Sequence, residues 1–185
     1  MKNFLRVPLF ALIFMSMTAA ANAQNISFTV SFSAPQAHYA DVEMVIHGYK
    51  NDFIDVKMPT WAPGSYLIRE FAKNVEDFKA ANGKGNSLAS RKINKNTWRV
   101  SAAKNEKVTI NYRVYAFEIS VRTSFVDASH AFLSPTGIFM YIDGQIKRPS
   151  TVTIKPFQGW TKVSTGLEPV KGRAFTYHAP DFDVL

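Results

Sequence analysis

Period-two alternation of apolar and polar side chains recurs through this chain, and no competing local pattern is as regular. Ile26, Phe28, Val30 and Phe32 fall in one phase while Ser27, Thr29 and Ser31 fall in the other. Ile54, Val56 and Met58 alternate with Asp55 and Lys57, and Val108, Ile110, Tyr112 and Val114 with Thr109, Asn111 and Arg113. Val152 and Ile154 stand between Thr151, Thr153 and Lys155. Successive side chains of a strand point to opposite faces, so each segment reads as a strand with one buried and one wet face. No window carries an i, i+3, i+4, i+7 stripe; the nearest to a helical candidate is the short piece 67–75.

Turn chemistry separates the strands. Asn82-Gly83-Lys84-Gly85-Asn86 supplies residues that tolerate positive φ, as a hairpin loop requires. Asn94-Lys95-Asn96 and Lys104-Asn105-Glu106 are polar gaps before the β-rich stretches 97–100 and 108–115, and Asp143-Gly144 closes the run 138–142. Many short strands at this spacing predict an all-β, antiparallel β-sandwich-like domain. No internal repeat or low-complexity linker divides it.

The first residues bear on compartment. Lys2 and Arg6 make a basic start, an apolar run extends from Val7 to Thr18, and Ala21-Asn22-Ala23 is an A-x-A cleavage signature. That is the layout of a secretory signal peptide over 1–23, with a mature domain over 24–185 in the periplasm or outside the cell. A membrane span needs about 20 apolar residues, and neither this run nor any later one reaches that. The chain has no cysteine, which rules out disulfides, a thiolate nucleophile and cysteine-based metal sites. The net charge is +8, or +6 once Lys2 and Arg6 are removed. The lysines are scattered among acidic residues with no dense basic run, so they read as a solvated face and not as a nucleic-acid footprint.

The common constellations of catalysis are missing. Zinc peptidases place two histidines one helical turn apart, H-E-x-x-H, so that both imidazoles reach one ion. His38, His47, His130 and His178 include no two that are four apart. Gly64-Ser65 lacks the second glycine of a G-x-S-x-G elbow, and Gly83-Lys84-Gly85 is a hairpin loop, not a phosphate cradle. The pairs Asp52 with Asp55 and Asp181 with Asp183 have nothing nearby to split their pKa values and read as turn chemistry. Neither a catalytic residue nor a metal ligand is expected within this chain.

One block stands out: P-x-W-x-P-G-S-Y-x-I-R-E-F-A, from Pro59 to Ala72. Two prolines and a glycine within six positions stop the preceding strand and force a bend. Trp61 and Tyr66 flank it, each with a large ring and a polar tip, and Arg69 and Glu70 follow among apolar neighbours. This block resembles the hallmark of the N-terminal domain of the glycyl aminopeptidase family, metallopeptidase family 61. Weaker similarities keep the family order: His38 before the second strand, Trp98 in a W-x-V strand, and Tyr112 to Ala116 as Y-x-V-Y-A. Ser120-Val121-Arg122, a Phe-rich segment through Phe139, and Trp160 with Ser164-Thr165-Gly166-Leu167 follow. Phe175 with Ala179, then Asp181-Phe182-Asp183 and Leu185, resembles the stretch that leads into the family's catalytic domain.

The resemblance implies a β-rich front domain ahead of a zinc catalytic domain with H-E-x-x-H, cut off before that domain begins. Aminopeptidase activity does not carry over, because every expected zinc ligand is absent; zinc is expected only in the catalytic domain. What carries over is a module that packs on the catalytic domain of the same polypeptide and walls its peptide-substrate cleft. Trp61, Tyr66, Arg69 and Glu70 are then the candidate substrate-binding residues. Tyr66 would donate a hydrogen bond, Arg69 meet a peptide carboxylate and Glu70 a free amino terminus. Pairing of Arg69 and Glu70 with their neighbours is the simpler account of those two. The alternatives are a free-standing secreted module that binds peptide or glycan through exposed aromatic rings, and a purely structural envelope protein.

Overall fold

The computed structural model describes residues 25–65 and 67–185, and each segment picked out by alternation lies in a strand. The strands are β1 (Ile26–Ser31), β2 (Tyr39–Ile46), β3 (Phe53–Lys57), β4 (Val75–Asn82), β5 (Ser90–Asn94), β6 (Thr97–Ser101) and β7 (Val108–Tyr115). Then come β8 (Phe125–Val126), β9 (Ala131–Phe132), β10 (Tyr141–Ile142), β11 (Ser150–Lys155), β12 (Glu168–Pro169) and β13 (Thr176–Ala179). Helix is confined, among the described residues, to three single 3-10 turns, Pro35–Ala37, Phe71–Asn74 and Pro135–Gly137. The 67–75 piece therefore holds one such turn and no α-helix. The signal-peptide segment 1–23 lies outside the described residues.

A seven-stranded sheet runs in the order β12-β13-β11-β1-β2-β7-β4, and a four-stranded sheet in the order β10-β3-β6-β5; β8 and β9 form a small hairpin. Pairing is antiparallel throughout except between β1 and β11, which run parallel with Ile26 opposite Ser150. The larger sheet is thus mixed. A parallel neighbour cannot be reached by a tight turn, and here residues 32–149 intervene between the two strands.

β2 is not among the segments picked out above by alternation, although Ala40, Val42, Met44 and Ile46 are all buried. Val45 on its outer face and the small Ala40 on its inner face blur the contrast that alternation depends on. β2 pairs along its length with β7, from Tyr39 opposite Tyr115 to Ile46 opposite Val108, and from Asp41 to Ile46 with β1.

The inward phases of both sheets meet in one core. Phe78 of β4 stacks on Trp98 of β6 at 5.3 Å with planes 10° apart, tying one sheet to the other. Phe28 of β1 packs against Phe139 at 4.9 Å. Tyr112 is buried in the same core, and its hydroxyl donates to the Ile138 carbonyl at 2.8 Å, which satisfies a phenol that burial would otherwise penalise. The hairpin loop forms as its residues dictate. Asn82 Oδ1 accepts from the backbone N–H groups of Lys84 and Asn86 at 3.0 and 2.9 Å, and Gly85 takes φ +83°.

On the outer side of β3 and β6, Asp55 receives both arms of the Arg99 guanidinium, at 2.8 and 2.7 Å, and that guanidinium also lies over the Phe53 ring at 4.0 Å. The hydrogen bonds and charge of Arg99 hold the Asp55 carboxyl below its ordinary value. A depressed folded pKa makes the contribution to stability present above the ordinary carboxylate pKa and lost as pH falls through the folded one. Urea midpoints measured from pH 5 downward should therefore fall, and Asp55→Asn should flatten that acid limb. Ile110→Ala, which empties a fully buried site on β7, should cost about 2–5 kcal/mol in the same assay.

Candidate functional site

The segment that carries the dense block leaves β3 at Met58 and is pinned before it turns outward. Met58 is fully buried. Its N–H donates to the Asn96 carbonyl at 2.9 Å, and Asn96 Nδ2 donates back to the Met58 carbonyl at 2.7 Å. The β5–β6 turn thus clamps the exit of β3. Pro63 and Gly64 then occupy the centre of a tight turn closed by Ser65 N–H to the Ala62 carbonyl at 3.0 Å, with Gly64 at φ +77°. Proline followed by a residue at positive φ is the type II arrangement. A bond from Arg69 N–H to the Thr60 carbonyl at 2.6 Å ties the neck of the excursion. Phe71 and Ala72 then return to the core.

The corner points its apolar side chains at solvent. Trp61 is 53% exposed, Leu67 61% and Ile68 69%. The four candidate residues are not drawn together around one point. Trp61 faces Phe182, Asp183 and Leu185 across a cleft of about 200 Å³ that it shares with Pro63 and Tyr141. Arg69 is half-buried, and among the described residues its Nε has no hydrogen-bond partner. Glu70 is taken by Lys95 at 2.8 Å. That hydrogen bond and charge lower the Glu70 carboxyl and raise the Lys95 ammonium, but both are exposed, so the pair adds little to stability. Tyr66 lies outside the described residues.

A second apolar projection stands beside the corner. Residues 117–125 form a hairpin beyond the end of β7, closed by the Phe117–Phe125 bridge. Its tip is braced: Thr123 Oγ1 donates to the Glu118 carbonyl at 2.8 Å, and Arg122 N–H to Ser120 Oγ at 3.1 Å. Ile119 and Val121 project from this tip at 85% and 82% exposure. Val75, where β4 begins after the corner, pairs with Val114 near the end of β7, so corner and hairpin share one end of the large sheet. Between them lies a concavity of about 260 Å³ lined by Phe71, Lys73, Phe117, Glu118 and Thr123. Phe117, Ile119 and Val121 continue the outward phase of β7, that of Thr109, Asn111 and Arg113, while Ala116 continues the buried one.

His38 supports the base of that hairpin. It sits at φ 66°, and its ring stacks on Phe117 at 3.7 Å. Its Nδ1 lies 2.7 Å from the Val126 carbonyl, which can only accept, so Nδ1 carries the hydrogen. Among the described residues no group of three or more His, Asp or Glu side chains is placed to hold a metal ion. The zinc that the family resemblance implies for the catalytic domain has no fitting ligand set among the described residues.

Residues 27–185 match the family model of the Peptidase M61 N-terminal domain. The structure superposes with a TM-score of 0.80 and 30% identity on a solved aminopeptidase N family protein from Idiomarina loihiensis, covering 86% of this chain and 28% of that one. This chain thus spans just over a quarter of that solved chain's length. An M1 zinc metallopeptidase from Deinococcus radiodurans aligns with 85% of this chain and 37% of its own, at a TM-score of 0.45 and 10% identity, a likeness too loose to inform the site. Comparison with curated proteins gives no match.

The unpartnered Nε of Arg69 yields a direct expectation. Arg69→Met keeps the aliphatic stem and removes a buried Nε that has no partner among the described residues, so thermal unfolding should show unchanged or raised stability. Asn96→Ala, which strips the clamp from Met58, should cost about 1 kcal/mol.

Proposed function

Since this chain belongs to the Peptidase M61 N-terminal domain family, we propose that it is the non-catalytic β-module of an exported zinc aminopeptidase, scaffolding a catalytic domain on the same polypeptide and lining its peptide cleft. The observation that carries this reading is the crowding of exposed apolar side chains at one end of the sandwich. Trp61, Leu67 and Ile68 on the corner and Ile119 and Val121 on the hairpin are each more than half exposed. Both projections are held by internal hydrogen bonds instead of being loose. Large contiguous apolar surface is unusual on a domain that works alone and marks a contact face. Leu185 lies across the cleft from Trp61, so polypeptide continuing past it would start beside that face.

In this reading the hairpin tip buries against the catalytic domain while the corner borders the cleft. Trp61 offers a flat apolar wall to a substrate side chain. Arg69 would direct its guanidinium at a peptide carboxylate or at an acceptor of the partner domain. Tyr66 would add a hydrogen-bond donor. Glu70 would have to leave Lys95 to meet a substrate amino terminus, an exchange between two exposed partners that costs little. No step at zinc is assigned to residues of this chain.

The test compares hydrogen exchange in the 1–185 chain with that in the product of the whole reading frame. Segments 61–68 and 117–123 should gain protection in the longer protein, and equal exchange in both would refute the docking face. In that longer protein Arg69→Ala should raise KM severalfold for peptide substrates at unchanged melting temperature. A lowered melting temperature with unchanged kinetics would assign Arg69 to scaffolding.

A further inference from the structure

The seven-stranded sheet has three more strands than the sheet facing it. Over β11 and β13 the missing cover comes from irregular chain, and it does not close. A cavity of about 470 Å³ remains between Val152 and Ile154 of β11, Phe139, the 156–167 segment and Leu133. That volume lies within the range of small-molecule sites, which are largely apolar with a few polar groups that fix orientation.

Its walls are set before any ligand arrives. Phe32, Phe139 and Val152 form a floor buried in the core. Trp160 closes one side, its ring against Phe32 at 4.9 Å and Phe157 at 5.9 Å, and its Nε1–H donates to the Ala128 carbonyl at 3.2 Å. The polar part is one-sided. Lys162 is the one charged side chain of the lining, flanked along the chain by the hydroxyls of Ser164 and Thr165, and no Asp or Glu side chain lines the cavity.

We propose that this cavity is a binding site for an amphipathic carboxylate, with its aliphatic body on Phe32, Val152 and Trp160 and its carboxylate at Lys162. The apolar walls supply area-proportional affinity. The lone cation at the rim sets polarity, because an anionic head reaches Lys162 without entering the apolar interior, where an unpaired charge is costly. A carboxylate beside the Ser164 and Thr165 hydroxyls gains charge-assisted hydrogen bonds as well. Pro135 and Leu185 line both this cavity and the Trp61 cleft, but ligand binding by the chain alone is read independently of the docking face.

The experiment titrates dodecanoate, below its micelle concentration, into the purified chain and follows binding by calorimetry and by tryptophan emission. Saturable one-site binding is expected. Butyrate, with the same head and little body, should not bind measurably. Lys162→Glu alters an exposed residue and should leave folding intact; it should weaken dodecanoate binding roughly tenfold, through the loss of one exposed charge contact and the gain of a repulsion. Dodecanol affinity should be the same in both proteins. Trp160→Phe should abolish most of the emission change while calorimetric binding persists. Absence of saturable binding, equal affinity for butyrate, or Lys162→Glu affinity equal to that of the parent would each overturn the proposal.

Discussion

The pairing of β2 with both its neighbours is the constraint from which the rest follows. All eight residues of β2 are in register with β7, and six of them with β1, while its inward side chains are buried almost to completion. A one-residue slip in such a strand would carry every inward side chain to the solvent face. That penalty fixes the register of β7, which in turn fixes β4 across the bulge between Glu76 and Lys79. The end of β7 and the beginning of β4 therefore emerge side by side. The hairpin and the corner are neighbours because β2 leaves the strands no other register.

The same logic explains where the structure is incomplete. Burial drives the inner faces of two sheets together, and Phe78 on Trp98 joins them in an aromatic stack worth more than its area alone. But seven strands opposite four leave part of the large sheet without a partner sheet. The 156–167 segment and Trp160 cover that part with side chains in place of strands. Side chains projecting from irregular backbone do not tile a surface as a second sheet does, and the cavity over β11 is what remains. Trp61, Leu67, Ile68, Ile119 and Val121 are left more than half exposed, which fits the proposed module that completes its surface with another domain.

The stabilising and the exposed elements are distributed unequally. The bidentate Asp55–Arg99 pair, the Tyr112 hydroxyl bond and the clamp of Asn96 on Met58 lie on strands or at strand exits. Arg69 Nε, at the neck of the corner, has no hydrogen-bond partner among the described residues. A buried polar atom without a hydrogen bond costs free energy and is uncommon in folded proteins. Arg113 Nε on β7 and Ser150 Oγ on β11 share that condition among the described residues, so the cost falls on the strands as well as on the corner.

Strand identity was largely legible from the amino-acid order. Alternation at 26–32, 54–58, 108–114 and 151–155 depends on nothing beyond the two-residue repeat of an extended chain, and the Asn82 loop on side chains that bond their own backbone. The Pro63-Gly64 turn was equally local. Tertiary structure alone decided the parallel neighbour of β1, which joins residues at opposite ends of the domain, and the status of Phe117, Ile119 and Val121. They continue the outward phase of β7, and their apolar type does not say whether another layer covers that phase. It likewise decided that Glu70 meets Lys95 and Arg69 Nε meets no described partner. A repeat of two can state which side chains share a face, but not whether a second layer lies opposite, since that depends on segments far away in the chain.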